Sequence, residues 1–129
     1  MINGFEEETA KLSEYELSLA KIMALAFQSR VGKENAITAN QIVNSMTFKG
    51  YKISESRVRK IIHFLVSTKQ VNRLVATSKG YHIAQTDQEV EDHVQSLVQR
   101  AVSIIVRAKA YPCYGKVAMG VEQLKVFEQ

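Results

Sequence analysis

The residues in this chain best equipped for chemistry are hydrogen-bond donors, most of them cationic. Over residues 54–68 the apolar positions Val58, Ile61, Ile62, Leu65 and Val66 recur at the helical period. The opposite face carries Ser56, Lys60, His63 and Ser67, with Arg59 on one flank and Arg57 on the other. Arginine can meet guanine O6 and N7 with two hydrogen bonds, whereas lysine and serine more often hold phosphates. A helix face that is cationic and hydroxylic and nearly free of acid therefore suits the major groove of a nucleic-acid duplex. Ser54 is placed to cap this helix, and the position three residues later is Arg57 rather than a carboxylate. With Glu55 as the one acidic competitor, the first-turn N–H groups can receive a phosphate. Arg73, Thr77, Ser78, Lys79 and His82 add further donors just downstream.

The charge distribution supports a basic face. Residues 1–40 hold four Lys/Arg against six Asp/Glu, residues 41–84 eight against one, and residues 85–129 five against six. The net charge of +4 thus arises from one central stretch carrying +7, a pattern expected where a cationic surface is flanked by neutral structure.

Other chemistries find little support. The three histidines lack metal-site spacing, the single Cys113 has no internal disulfide partner, and there is no CxxC. No Ser/His/Asp or Cys/His arrangement and no glycine-rich phosphate loop can be assembled. The expectation is a non-enzymatic protein with no cofactor, no metal and no small-molecule substrate. Without a basic, apolar leader or a membrane-length apolar run, a soluble, cytoplasmic location with no membrane partner is expected.

The elements that position these donors begin at capping residues. Ser13 and Glu16 form a capping box with a Leu12–Leu17 staple, opening a helix to about Phe27 with Leu17, Ala20, Ala24 and Phe27 on one side. After the polar loop 29–35 and a β-like link at Ala36–Thr38, a second box at Thr38 and Gln41, stapled by Ile37 and Ile42, starts a helix. It turns Ile42, Val43 and Met46 inward and stops near Gly50. Ser54, with an Ile53–Val58 staple, opens the third helix after a short turn containing Gly50, the connection a helix-turn-helix needs. A hairpin follows, with strands over 71–76 and 81–84 and a turn at 77–80. Thr86 and Glu89 open the longest helix, to about Ala110, before Pro112. The weakly patterned remainder is either a short helix over 120–127 or largely unfolded.

The fold class is therefore mainly α with a small β-hairpin (α+β). Helix, link, helix, turn, helix, hairpin is an order that resembles the winged helix-turn-helix superfamily. The stretches RVGKENAIT (30–38), GYKIS (50–54), RVRKII (57–62) and ATSKGYHIA (76–84) are similar to small winged-helix proteins of phages and prophages. The resemblance covers roughly residues 13–108. It implies a winged domain over 13–84 after an N-terminal arm (1–12), followed by a long helix (85–110) and a tail (111–129). It also implies binding of double-stranded DNA, as a transcriptional regulator or phage replication accessory. Carried across by position, base reading falls to Ser56, Arg57, Arg59, Lys60 and His63. Backbone contact falls to Lys49, Lys52, Arg73, Ser78 and Lys79. The alternative is that the same scaffold serves as a protein–protein interaction module in a larger assembly.

In the long helix Val90, Val94, Leu97, Ala101, Ile104 and Ala108 recur at four-three spacing, the pattern of a coiled-coil seam and hence of a homodimer interface. Val98, Val102, Ile105 and Val106 widen that face, so the helix is expected to meet both its own domain and a partner.

Overall fold

A computed structural model describes residues 11–128. Its elements are α1 (Glu14–Phe27), a 3-10 turn (Lys33–Asn35), α2 (Ala39–Phe48), α3 (Glu55–Ser67), β1 (Leu74–Thr77), β2 (Gly80–Ile83), α4 (Asp87–Lys109) and α5 (Tyr114–Glu128). The chain is mostly helical with one antiparallel hairpin, an α+β arrangement. It divides into two units, one up to His93 and one from Val94 onward.

In the first unit the helices start where capping chemistry places them. Ser13 Oγ accepts from the Glu16 N–H at 3.1 Å while Glu16 Oε1 accepts from the Ser13 N–H at 2.9 Å. Thr38 and Gln41 make the same reciprocal pair at 3.1 and 2.9 Å, and Ser54 Oγ accepts from the Arg57 N–H. These bonds satisfy amides that a helix leaves without internal partners. The core joins Leu19, Ala20, Met23 and Phe27 of α1 to Ile42 and Met46 of α2 and to Val58, Ile61, Ile62 and Leu65 of α3. Two expected core positions differ. Leu17 is exposed and Leu19 takes the inward place, and Val66 lies outside the α3 stripe with 45% exposure.

The hairpin is shorter and tighter than its sequence suggests. Its register pairs Leu74 with Ile83 and Thr77 with Gly80 around a two-residue turn, Ser78-Lys79. Val71–Arg73 is not strand. Arg73 adopts φ +63°, a left-handed conformation that no strand residue holds. The link at Ile37 adds a third, single-residue strand. Ile37 and Tyr81 exchange N–H···O bonds of 2.9 and 2.8 Å. That contact demands glycine next to Tyr81. Gly80 has φ +118°, and a Cβ there would lie 2.5 Å from the Ile37 carbonyl. Gly80→Ala is expected to cost about 2 kcal/mol in urea unfolding, from strain plus overpacking. Gly50→Ala should cost only about 1 kcal/mol, because that site has a similar φ of +91° but nothing within 4 Å. Equal losses at the two sites would show that the approach to Ile37 contributes nothing.

In the second unit, α4 continues to Lys109 before Pro112, and α5 is a helix of 15 residues. It is longer than the short segment at 120–127 that its weak pattern suggests. Among the described residues, no helix is long and apolar enough to cross a membrane.

Candidate nucleic-acid interface

Helix α3 turns Val58, Ile61, Ile62 and Leu65 into the core, which points the other side of the same helix outward. Arg59, His63 and Ser67 are exposed, and Ser56 and Lys60 are half-buried at the base of that face. Ser56 Oγ lies 3.2 Å from Ser54 Oγ. Arg59 meets Glu55 at 3.7 Å on the helix surface. Such an exposed pair contributes little and releases its arginine readily. Lys60 has no ion pair among the described residues. The face thus keeps two cations, an imidazole and two hydroxyls with one acid beside them.

Arg57 is not part of that face. It is 9% exposed, and its guanidinium forks onto Glu16 of α1, with Nη2 to Oε1 at 2.8 Å and Nε to Oε2. The same Nη2 donates to the Lys11 carbonyl at 3.1 Å. A side chain held by two carboxylate oxygens and a carbonyl is not presented to a base edge, so the base-reading role expected of it is withdrawn. The pair instead clamps the start of α1 against the start of α3. The guanidinium beside Glu16, aided by the Ser13 amide and against the effect of burial, holds its carboxyl at about 2. The phosphate-receiving role of the α3 N-terminus is weakened on the same grounds. Ser54 already caps it, Glu55 lies on its first turn, and Glu16 stands across from Ser54 and Arg57 in the same shallow surface depression.

The donors outside α3 separate into two groups. Lys49 and Lys52 flank the exposed turn between α2 and α3, and Ser78 and Lys79 form the exposed hairpin tip. Arg73 is engaged elsewhere. Nε donates to the Ala84 carbonyl at 3.3 Å and Nη1 reaches Asp87 Oδ1 at 2.8 Å, tying the base of the hairpin to the first turn of α4. Its expected backbone contact would require breaking that exposed bridge.

His82 also differs from its expected place. It is 1% exposed and points inward, its Nε2 3.1 Å from Glu89 Oε1. Nδ1 is buried with no hydrogen-bond partner among the described residues. Glu89 is also the capping-box residue of α4, accepting from the Thr86 and Gln85 amides at 2.9 and 2.7 Å. His82 and those amides hold its carboxyl below the usual range. One carboxylate thus serves both the cap of α4 and the inner face of the hairpin. The Thr86–Glu89 spacing marks the cap, but nothing local marks the histidine.

Tyr51 and Tyr81 pack against the core edge, and Cys113 is a free, exposed thiol. Among the described residues no cluster of three or more His, Cys, Asp or Glu could hold a metal. No protein-family model, curated protein or solved structure matches this chain.

Proposed function

We propose that this is a winged helix-turn-helix protein that binds double-stranded DNA, with α3 in the major groove and the 78–79 hairpin tip on the backbone. The observation that carries the reading is the outward face of α3, where Ser56, Arg59, Lys60, His63 and Ser67 stand together with Glu55 as the one acid on the same helix. The order of the elements and the +7 excess confined to residues 41–84 support it. Lys49, Lys52, Ser78 and Lys79 would hold phosphates, and two copies joined through α4 would present two reading helices. A cytoplasmic transcriptional regulator or phage replication accessory, needing no cofactor, fits this arrangement.

One observation favours the second reading, a protein-interaction module. Phe48, the last residue of α2, is 93% exposed beside the turn into α3, and aromatic residues are enriched in protein interfaces. Binding of the full chain to random-sequence duplex across a salt series separates the two. DNA binding predicts that log affinity falls with log salt by roughly 0.9 for each phosphate neutralised. A flat response, or no binding at low salt, overturns the DNA reading and leaves Phe48 as the better guide.

A further inference from the structure

Helix α4 runs for 23 residues without one buried residue, although helices in proteins draw most of their stability from packing an apolar face. Val94, Leu97, Val98, Val102, Ile104 and Ile105 are 45–55% exposed. We propose that this face is covered by a second copy of α4 running antiparallel to the first, about a two-fold axis at Gln99. The inference rests on α4 being the dimer helix and adds its direction and register.

Steric matching gives the direction. In the four-three pattern Val90, Leu97 and Ile104 alternate with Val94, Ala101 and Ala108 as the two seam positions of a coiled coil. Antiparallel helices set one kind of seam position against the other. With Gln99 on the axis, Val90 faces Ala108, Val94 faces Ile104 and Leu97 faces Ala101 of the second copy. No layer then sets two alanines together. A parallel pair in register would place Ala101 on Ala101 and Ala108 on Ala108, leaving voids that cost stability. Because both alanines occupy one kind of seam position and Val90, Leu97 and Ile104 the other, a reversed copy of this same helix supplies a large residue opposite each alanine, which favours a second copy.

One flank agrees. An antiparallel pair brings like flanks together, so Val98 meets Val98 across the axis, while on the other edge His93, whose Nδ1 accepts from the Ala76 N–H of β1 at 3.4 Å, marks where the hairpin borders the seam. Arg100 then lies near its own copy, at an exposed edge where solvent screens the repulsion. A parallel pair would instead press Val98 and Ile105 against the edge carrying His93 and Arg100. Charge adds a smaller contribution. Asp87, Glu89, Glu91 and Asp92 occupy the start of α4 and Arg100, Arg107 and Lys109 its second half, so reversal sets opposite ends side by side. The helix dipole alone favours that polarity within one helix, which makes packing the stronger argument. At a rise of about 1.5 Å per residue the two copies of Asp87 would lie roughly 36 Å apart along the axis.

The test uses the full chain without DNA, so its outcome is independent of the DNA reading. Sedimentation equilibrium should give a mass of two chains. Oxidation of an equimolar mixture of Val94→Cys and Ile104→Cys chains, both also carrying Cys113→Ser, should link residue 94 to residue 104, and neither variant alone should link to itself. A two-chain mass with 94–94 and 104–104 links would keep the dimer and overturn the antiparallel register. A one-chain mass, or an assembly larger than two, would overturn both.

Discussion

Replacing Arg57 with alanine is expected to lower the unfolding free energy by about 3–5 kcal/mol, the usual result of removing one partner from a buried ion pair. The loss arises because Glu16, half-buried against Arg57, would lose the guanidinium that neutralises it, and the Lys11 carbonyl would lose its donor. Arg57→Lys should recover only part of the stability, since an ammonium cannot fork onto both carboxylate oxygens. Glu16→Gln should cost less than Arg57→Ala, and the double variant less than the sum of the two. The acid limb is a second readout. The Glu16 carboxyl lies near 2 in the folded chain against an ordinary 4.5. A depressed carboxyl contributes stability that is full above its unfolded value and is lost as pH falls from about 4.5 towards 2. Arg57→Ala should flatten that part of the pH–stability curve. Urea unfolding at neutral pH and across this window measures both effects. A neutral-pH loss under about 1 kcal/mol with an unchanged acid limb would show that the clamp contributes nothing.

Arg57 also shows which parts of this chain were legible in the sequence. Each cap joins residues three apart, so Ser13–Glu16, Thr38–Gln41 and Thr86–Glu89 can be read locally and appear as expected. The polar residues directly opposite the α3 core stripe, Ser56, Lys60, His63 and Ser67, also follow from periodicity. Arg57 lies at the boundary between stripe and face, where the helical wheel is neutral. Its partner is 41 residues away, and the capping role of Glu16 conceals its second use. The same holds for His82, which alternation places in the hairpin without saying which neighbour it meets. Strand propensity at Val71 overrode the conformational break at Arg73. The apolar width of α4 was legible, but nothing in it announced that the first turns meet the hairpin through Arg73–Asp87, His82–Glu89 and Ala76–His93. A pattern reports that a face is apolar, not what lies on it.

If α3 reads the major groove, replacing Arg59 and Lys60 together with alanine should lower affinity for a preferred duplex roughly 100- to 1000-fold. That equals about 3–4 kcal/mol, the scale of one base-reading contact combined with one neutralised phosphate or a second such contact. Both side chains can be spent on DNA. Among the described residues Arg59 holds only the surface ion pair to Glu55 and Lys60 has no ion pair. Neither lies in the core, so the folded fraction should not change, in contrast to Arg57→Ala. Lys79→Ala at the hairpin tip should behave differently. It should weaken all sequences about equally and reduce the salt slope by roughly 0.9, the signature of a single phosphate contact. A preferred duplex selected from a random pool, titrated against the unselected pool at two salt concentrations, distinguishes the two behaviours. Parallel loss on both duplexes for the α3 double variant would remove base reading and reduce the helix to a phosphate-binding surface. Retention of full affinity by that variant would remove α3 from the interface altogether, because the hairpin tip and the 49–52 turn would then account for all of the binding.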